Sequence, residues 1–470
     1  MSSTTTLKQI IFRIATKKDN NLMKLRNQEG ISPKLDRLRI QGWRQFDNID
    51  IELHDSLTIV TGANGAGKST LLKIMANELG YNNTFLATAK IQDRRLKFSS
   101  SIFQNVWSKF STVKTDKNQI GFIDYTDSIR SFLKAPEPNS AEYKITYENE
   151  NTIFGLFYSS HRIEPRYNKL RQSFWESFLP KKAYKSFDDA LRDMSKGNNS
   201  NVTPLYRMKE ALISLYQDIG KRNNIYQSET NKDENSLSEQ RNKFEEVMRI
   251  ILPDELGYKH LEIRENELIV ISQTGEFLLE AASGGILNLI EIAWRIFIYS
   301  QLHTDFIVFI DEPENHLHPS MQKRLLGDLV KAFPNVQFII ATHSPLMVSS
   351  VKKSNIYALR YKTHTNNPNS AADDYDNEIS TPFKRIVSEK LDITNISGTA
   401  SEILREVLGV PSTIPDWVVS KLDIVIEKYK SQKITGKSLA SLRSELDQLG
   451  FGNEYADTLH KIALHQNDLT

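Results

Sequence analysis

Hydrophobic and polar positions change rhythm several times along the chain. Residues 35–60 alternate in character and then run apolar into a glycine-rich turn. Leu57, Ile59 and Val60 predict a buried strand, and residues 69–77 the helix that follows. Residues 143–160 predict a hairpin with Asn149-Glu150-Asn151 near its turn, and residues 260–280 predict another. The apolar, β-rich runs 305–310 and 336–341 predict buried parallel strands. A helix between them starts near Pro319 and shows a face of Met321, Leu325, Leu329 and Val330. Residues 164–255 are rich in charge and helix formers, with polar low-complexity patches around 195–203 and 227–238, and predict a helical subdomain. A polar stretch over 362–382 precedes a helical carboxy-terminal segment. There Thr399 and Glu402 have capping-box spacing. Leu439, Leu442, Leu446 and Leu449 share one helical face before Gly450. The expected division is an extension (1–34), an α/β lobe (35–163), a helical insert (164–258), a second α/β lobe (259–361), a linker (362–398) and a small α-helical domain (399–470).

Composition narrows the class of molecule. With 470 residues, 39% hydrophobic and 25% charged, the chain has the make-up of a globular protein of two or three domains. Lys and Arg number 60 against 58 Asp and Glu, so whole-chain charge gives no sign of nucleic-acid or membrane binding. The first fifty residues lean basic and read as a solvated extension. The absence of cysteine excludes disulfides, cysteine-ligated zinc and a thiol nucleophile, and fits a reducing compartment. Residues 7–14 are too short and too charged for a signal peptide, and the apolar runs fall far below the roughly 20 residues of a membrane span. The expected location is the cytoplasm.

The candidate chemistry lies in four short runs. Residues 62–69, Gly-Ala-Asn-Gly-Ala-Gly-Lys-Ser, match G-x-x-x-x-G-K-[ST] between an apolar strand and a helix. Gly62, Gly65 and Gly67 let the backbone curl so that its N–H groups, with Asn64 and Thr70 alongside, face phosphate oxygens. Lys68 would reach the β- and γ-phosphates of ATP and Ser69 would offer its hydroxyl to Mg²⁺. The strand 306–310 leads into Asp311, which would hold Mg²⁺ through water, and Glu312, a carboxylate that can orient the attacking water and act as general base. Ser283-Gly284-Gly285 opens an amphipathic helix and forms a second anion-binding corner. His343, in Thr-His-Ser-Pro at the end of strand 336–341, suits a γ-phosphate sensor. His316 and His318 alternate but read as lining the interface after the acidic pair rather than as metal ligands.

Four such elements in this order resemble the ABC ATPase superfamily, and its soluble SMC-, RecF- and OLD-like branch more than transporter subunits. The segment Ile40-Gln41-Gly42-Trp43-Arg44-Gln45-Phe46, the run from Asp311 to Pro319 and Thr342-His343-Ser344-Pro345 carry the resemblance. It implies a P-loop ABC-type ATPase head with helical insert. ATP would lie between Lys68 of one head and Ser283, Gly284 and Gly285 of another, with Mg²⁺ at Ser69 and Asp311, Glu312 catalytic and His343 as switch. Arg44, and Arg162 in Ser159-Ser160-His161-Arg162, join the nucleotide-binding set as candidates. The glutamine that ends the usual signature is replaced by Ile286, and an insert of about a hundred residues is too short for SMC coiled-coil arms. The tail 400–418 resembles PtuA-like ATPases of Septu-type and retron-associated anti-phage defence, which work with an HNH nuclease subunit. That implies an ATPase subunit which gates a partner nuclease through head dimerisation, reaching nucleic acid through the complex and not a membrane. A stand-alone RecF-like repair ATPase and an OLD-like ATPase-nuclease are the alternatives. Asp374-Tyr375-Asp376 has the spacing of a nuclease pair, but its polar setting reads as linker.

Overall fold

The structure is a computed structural model that describes residues 32–92, 95–100, 118–137, 140–160, 167–170, 178–195, 197, 202–222, 231–364, 383–392, 400–408, 415–430, 435–455, 458–459 and 462–463. The chain forms two compact units, Met1–Ile403 and Leu404–Thr470. In the first, the strands are β1 (Leu35–Trp43), β2 (Phe46–Glu52), β3 (Leu57–Gly62), β4 (Phe85–Leu86), β5 (Thr88–Gln92), β6 (Arg95–Ser99), β7 (Gln119–Tyr125), β8 (Arg130–Lys134), β9 (Glu142–Tyr143) and β10 (Thr146–Glu148). There follow β11 (Gly155–Tyr158), β12 (Tyr258–Arg264), β13 (Glu267–Ser272), β14 (Glu276–Leu278), β15 (Phe306–Asp311), β16 (Val336–Ala341), β17 (Asn355–His364) and β18 (Phe383–Lys390). Eleven of them make one mixed sheet in the order β10-β8-β7-β1-β2-β18-β17-β3-β16-β15-β11.

Every residue of β3, β15 and β16 is buried, as continuous apolar runs in a parallel sheet require. They pair in parallel, with Ile59 opposite Ile340 and Ile310 opposite Ile340 from the other side. Their carboxyl ends therefore finish side by side at Gly62, Asp311 and Ala341. Helix α1 (Lys68–Asn77) follows β3 and buries Leu71, Leu72, Ile74 and Met75. The insert supplies α2 (Pro180–Ser195), α3 (Pro204–Arg222) and α4 (Asn231–Ile251). Helix α5 (Gly284–Ser300) is buried along most of its length, α6 (Pro319–Ala332) buries Leu325, Leu326 and Leu329, and the short α7 (Pro345–Val348) follows β16.

Three expectations change. Residues 143–160 are not a hairpin: β10 pairs with β8 at one edge of the sheet, whereas β11 pairs in parallel with β15 at the other. All four residues of β11, Gly-Leu-Phe-Tyr, are buried, and such an apolar run suits a covered parallel strand beside fully buried β15 even though it ends the sheet. Residues 260–280 extend to a third strand, β14, on β13. Within the stretch read as linker, Phe383–Lys390 is a strand held between β17 and β2, so the sheet is completed after the polar segment.

In the second unit, α8 (Asp416–Lys430) and α9 (Gly436–Gln448) enclose Val418, Leu422, Val425, Leu442 and Leu446. Of the predicted leucine face, Leu439 is half-buried and Leu449 exposed. Thr435 and Ser438 form a capping box at the start of α9. Thr399 of the predicted box lies outside the described residues.

Candidate active site

The phosphate-type loop leaves β3 with positive φ at Gly62 (138°), Gly65 (78°) and Gly67 (92°). Gly67 is required twice over. Its φ disfavours any side chain, and a Cβ there would lie 2.5 Å from Phe46 Cζ and 2.9 Å from Gln45 Nε2. The turn between β1 and β2 thus closes on the loop. Helix α1 starts with no side-chain cap and no acid in its first turn, which leaves its N–H groups and positive end to an anion. Lys68 is 6% exposed, and its Nζ donates to Gly62 O (2.9 Å) and Ala63 O (3.1 Å). Burial lowers its pKa against the opposing pull of Glu312, Asp311 and Glu314. Asn64 and Gly65 stand exposed at the loop tip, and Thr70 is half-buried on α1.

Across the neighbouring strand ends, Ser69 Oγ donates to Asp311 Oδ1 at 3.1 Å. Burial raises the pKa of Asp311, with the Ser69 bond opposing it and Glu312 adding to it. Glu312 has φ 50°, a left-handed conformation costly for a residue with a side chain, and its N–H donates to Ala341 O at 2.8 Å. His343 follows β16, and its Nδ1 lies 3.5 Å from Glu312 Oε1 and 3.6 Å from Glu314 Oε1. Asn315 Nδ2 donates to Ser160 O at 3.1 Å and approaches Glu312 Oε2 at 3.4 Å, tying the end of the β11 lobe to the acidic turn.

Ser283 caps α5, its hydroxyl accepting from Ile286 N at 3.4 Å. Ser283 and Gly284 are exposed, and Gly285 packs under the acidic turn, where a Cβ would meet His316 O at 2.7 Å. Arg44 sits in the β1–β2 turn with φ 53° and its guanidinium 5.6 Å from the Trp43 ring; its neighbours Gln45 and Phe46 are what meet Gly67. Arg162 lies outside the described residues, as do Asp374 and Asp376. His318 caps α6, its Nδ1 accepting from Ser320 N at 3.4 Å. The motifs give no role to Glu314 and Asn315, although both lie in the run from Asp311 to Pro319, nor to Tyr361, whose hydroxyl is 3.5 Å from where a Gly65 Cβ would stand.

The loop, the acidic strand end and His343 all fall within residues 57–349, which match the family described as "AAA domain, putative AbiEii toxin, Type IV TA system". The chain belongs to this family. It is a nucleotide-binding ATPase of mixed α/β architecture, as the motifs implied. The chain is 23% identical over 401 residues to "Retron Vc95 probable ATPase" of Vibrio cholerae, covering 71% of itself and 76% of that relative. It is 20% identical over 342 residues to "Septu protein PtuA" of Bacillus thuringiensis, covering 68% of itself and 74% of the relative. The resemblance to a PtuA-related ATPase therefore holds. A solved SMC head bound to the C-winged helix domain of ScpA aligns with 76% of this chain and 99% of its own, at 16% identity and a TM-score of 0.37.

Proposed function

We propose that this ATPase is the ATP-hydrolysing subunit of an anti-phage defence complex, in which nucleotide-dependent pairing of two heads gates a partner nuclease of HNH type. The observation that carries the reading is the convergence of Ser69, Asp311, Glu312 and His343 beside buried Lys68. The retron and Septu names of the relatives support the defence setting. The residues fit the nucleotide and its ion. The loop N–H groups and the uncapped start of α1 suit phosphate oxygens, and the 3.1 Å Ser69–Asp311 pair offers hard oxygen donors to Mg²⁺. When bound, the ion would neutralise charge on the phosphates. Lys68 would exchange its loop carbonyls for β- and γ-phosphate oxygens. Glu312 would orient the attacking water and take its proton, and His343 would hold the γ-phosphate. Exposed Ser283 and Gly284 would complete the site of a second head with the positive end of α5.

Glu312→Gln tests this directly. The amide is nearly isosteric but cannot take the proton, so turnover should fall about 10²- to 10⁴-fold while ATP stays bound. Light scattering of this variant with ATP and Mg²⁺ should show the mass of a pair. Adding Gly284→Asp, where a side chain meets open space within the chain, should keep the fold and ATP binding but return the mass of a single head. A Glu312→Gln chain that stays single at saturating ATP would overturn head pairing. The partner is tested by what co-purifies with the chain, and plasmid left intact by the chain alone would agree with nuclease chemistry on another subunit.

A further inference from the structure

We propose that Glu314 is a positioning residue for ATP hydrolysis: its carboxylate clamps the turn after β16 so that the His343 ring is held against Glu312. This rests on the ATPase reading above and adds to it a residue outside the motifs.

Glu314 is 7% exposed, two residues beyond Glu312. Its Oε1 accepts from Thr342 Oγ1 at 2.7 Å and from His343 N at 2.9 Å. Thr342 Oγ1 in turn accepts from Ser344 N at 2.9 Å, so one carboxylate fixes all three residues of the turn. The His343 Nδ1 lies almost equally far from Glu312 and Glu314, at 3.5 and 3.6 Å. With Nδ1 facing the carboxylates, the other ring nitrogen is the one left for a phosphate oxygen. Glu314 is not itself a base for water. One oxygen is committed to the turn and the other, Oε2, is buried with no hydrogen-bond partner among the described residues, whereas the Glu312 side chain is 29% exposed. A buried carboxylate oxygen left without a partner is destabilising, and the pull of Glu314 on Lys68 calls for its charge but not for its reach to the turn. A hold on the switch histidine does require an acceptor of that reach.

Two near-isosteric variants separate reach from charge. Glu314→Gln keeps an oxygen at the turn, while Glu314→Asp keeps the charge but withdraws it by one methylene. Steady-state ATP hydrolysis should show kcat lowered about 10²-fold in Glu314→Asp, since misplacement of about 1 Å costs that much. KM should be unchanged, and Glu314→Gln should stay much closer to wild type. In a His343→Ala background, Glu314→Asp should cause no further loss. An Asp variant as active as wild type, or a loss that repeats in full without His343, would overturn the clamp. Turnover that survives Glu312→Gln would instead remove the reading on which it rests.

Discussion

At the far end of α1 from the phosphate loop, Glu78 accepts hydrogen bonds from Tyr125 Oη (2.6 Å) and Ser131 Oγ (3.0 Å). Burial pushes its carboxyl up from an ordinary 4.5 to about 7, the two hydrogen bonds opposing the shift. Below the lower value both folded and unfolded chains hold the proton. Between the two values only the folded chain holds it, so stability falls as pH rises through that window and stays reduced above it. The contribution is at most roughly 3 kcal/mol, and Glu78→Gln should abolish it. Thermal melts should show the variant more stable than wild type at pH 8 and no more stable at pH 4.5; equal pH profiles would contradict the assignment. At this scale the sequence was informative where backbone geometry dictates the residue, as at Gly67, and where a motif's side-chain chemistry does, as at Lys68, Ser69 and Asp311. It was silent on Glu314, whose partner Thr342 lies 28 residues later. Only the parallel register of Asp311 with Ala341 brings the two together.

Between elements, the insert grips the region leading into α5 through a buried charge. Lys209 on α3 is 1% exposed and pairs with Glu267 on β13 and with Glu280, at 2.6 Å, in the turn three residues before Ser283. Lys209→Met would leave two largely buried carboxylates without their counter-charge, a loss of roughly 3–5 kcal/mol. Urea unfolding should show that loss, and adding Glu280→Gln should recover part of it. An unchanged midpoint would mean that the carboxylates find water. The elements legible in advance, β3, β15, β16 and α6, are those whose own pattern decides their state. Strand β18 was not legible. Its sequence, Phe-Lys-Arg-Ile-Val-Ser-Glu-Lys, is mostly polar, and pairing with β17 and β2 on either side makes it a strand. The predicted hairpin failed for the related reason that sequence adjacency of β10 and β11 says nothing of the ten positions separating edge from edge in the sheet order.

Across the whole molecule, near-neutral charge and ordinary composition said little about function, and none of the described helices is long and apolar enough to cross a membrane. Function follows from topology: parallel β3, β15 and β16 end together, so residues far apart in the chain share one polar edge. The central claim is that this edge binds ATP through Lys68. Calorimetric titration of the full chain with ATP and Mg²⁺, beside Lys68→Ala, tests it most directly. Removing the charge partner of the β- and γ-phosphates should cost several kcal/mol, a weakening of about 10²-fold or more. Saturable binding by wild type and none measurable in the variant is the predicted result; equal affinity in both would contradict the account.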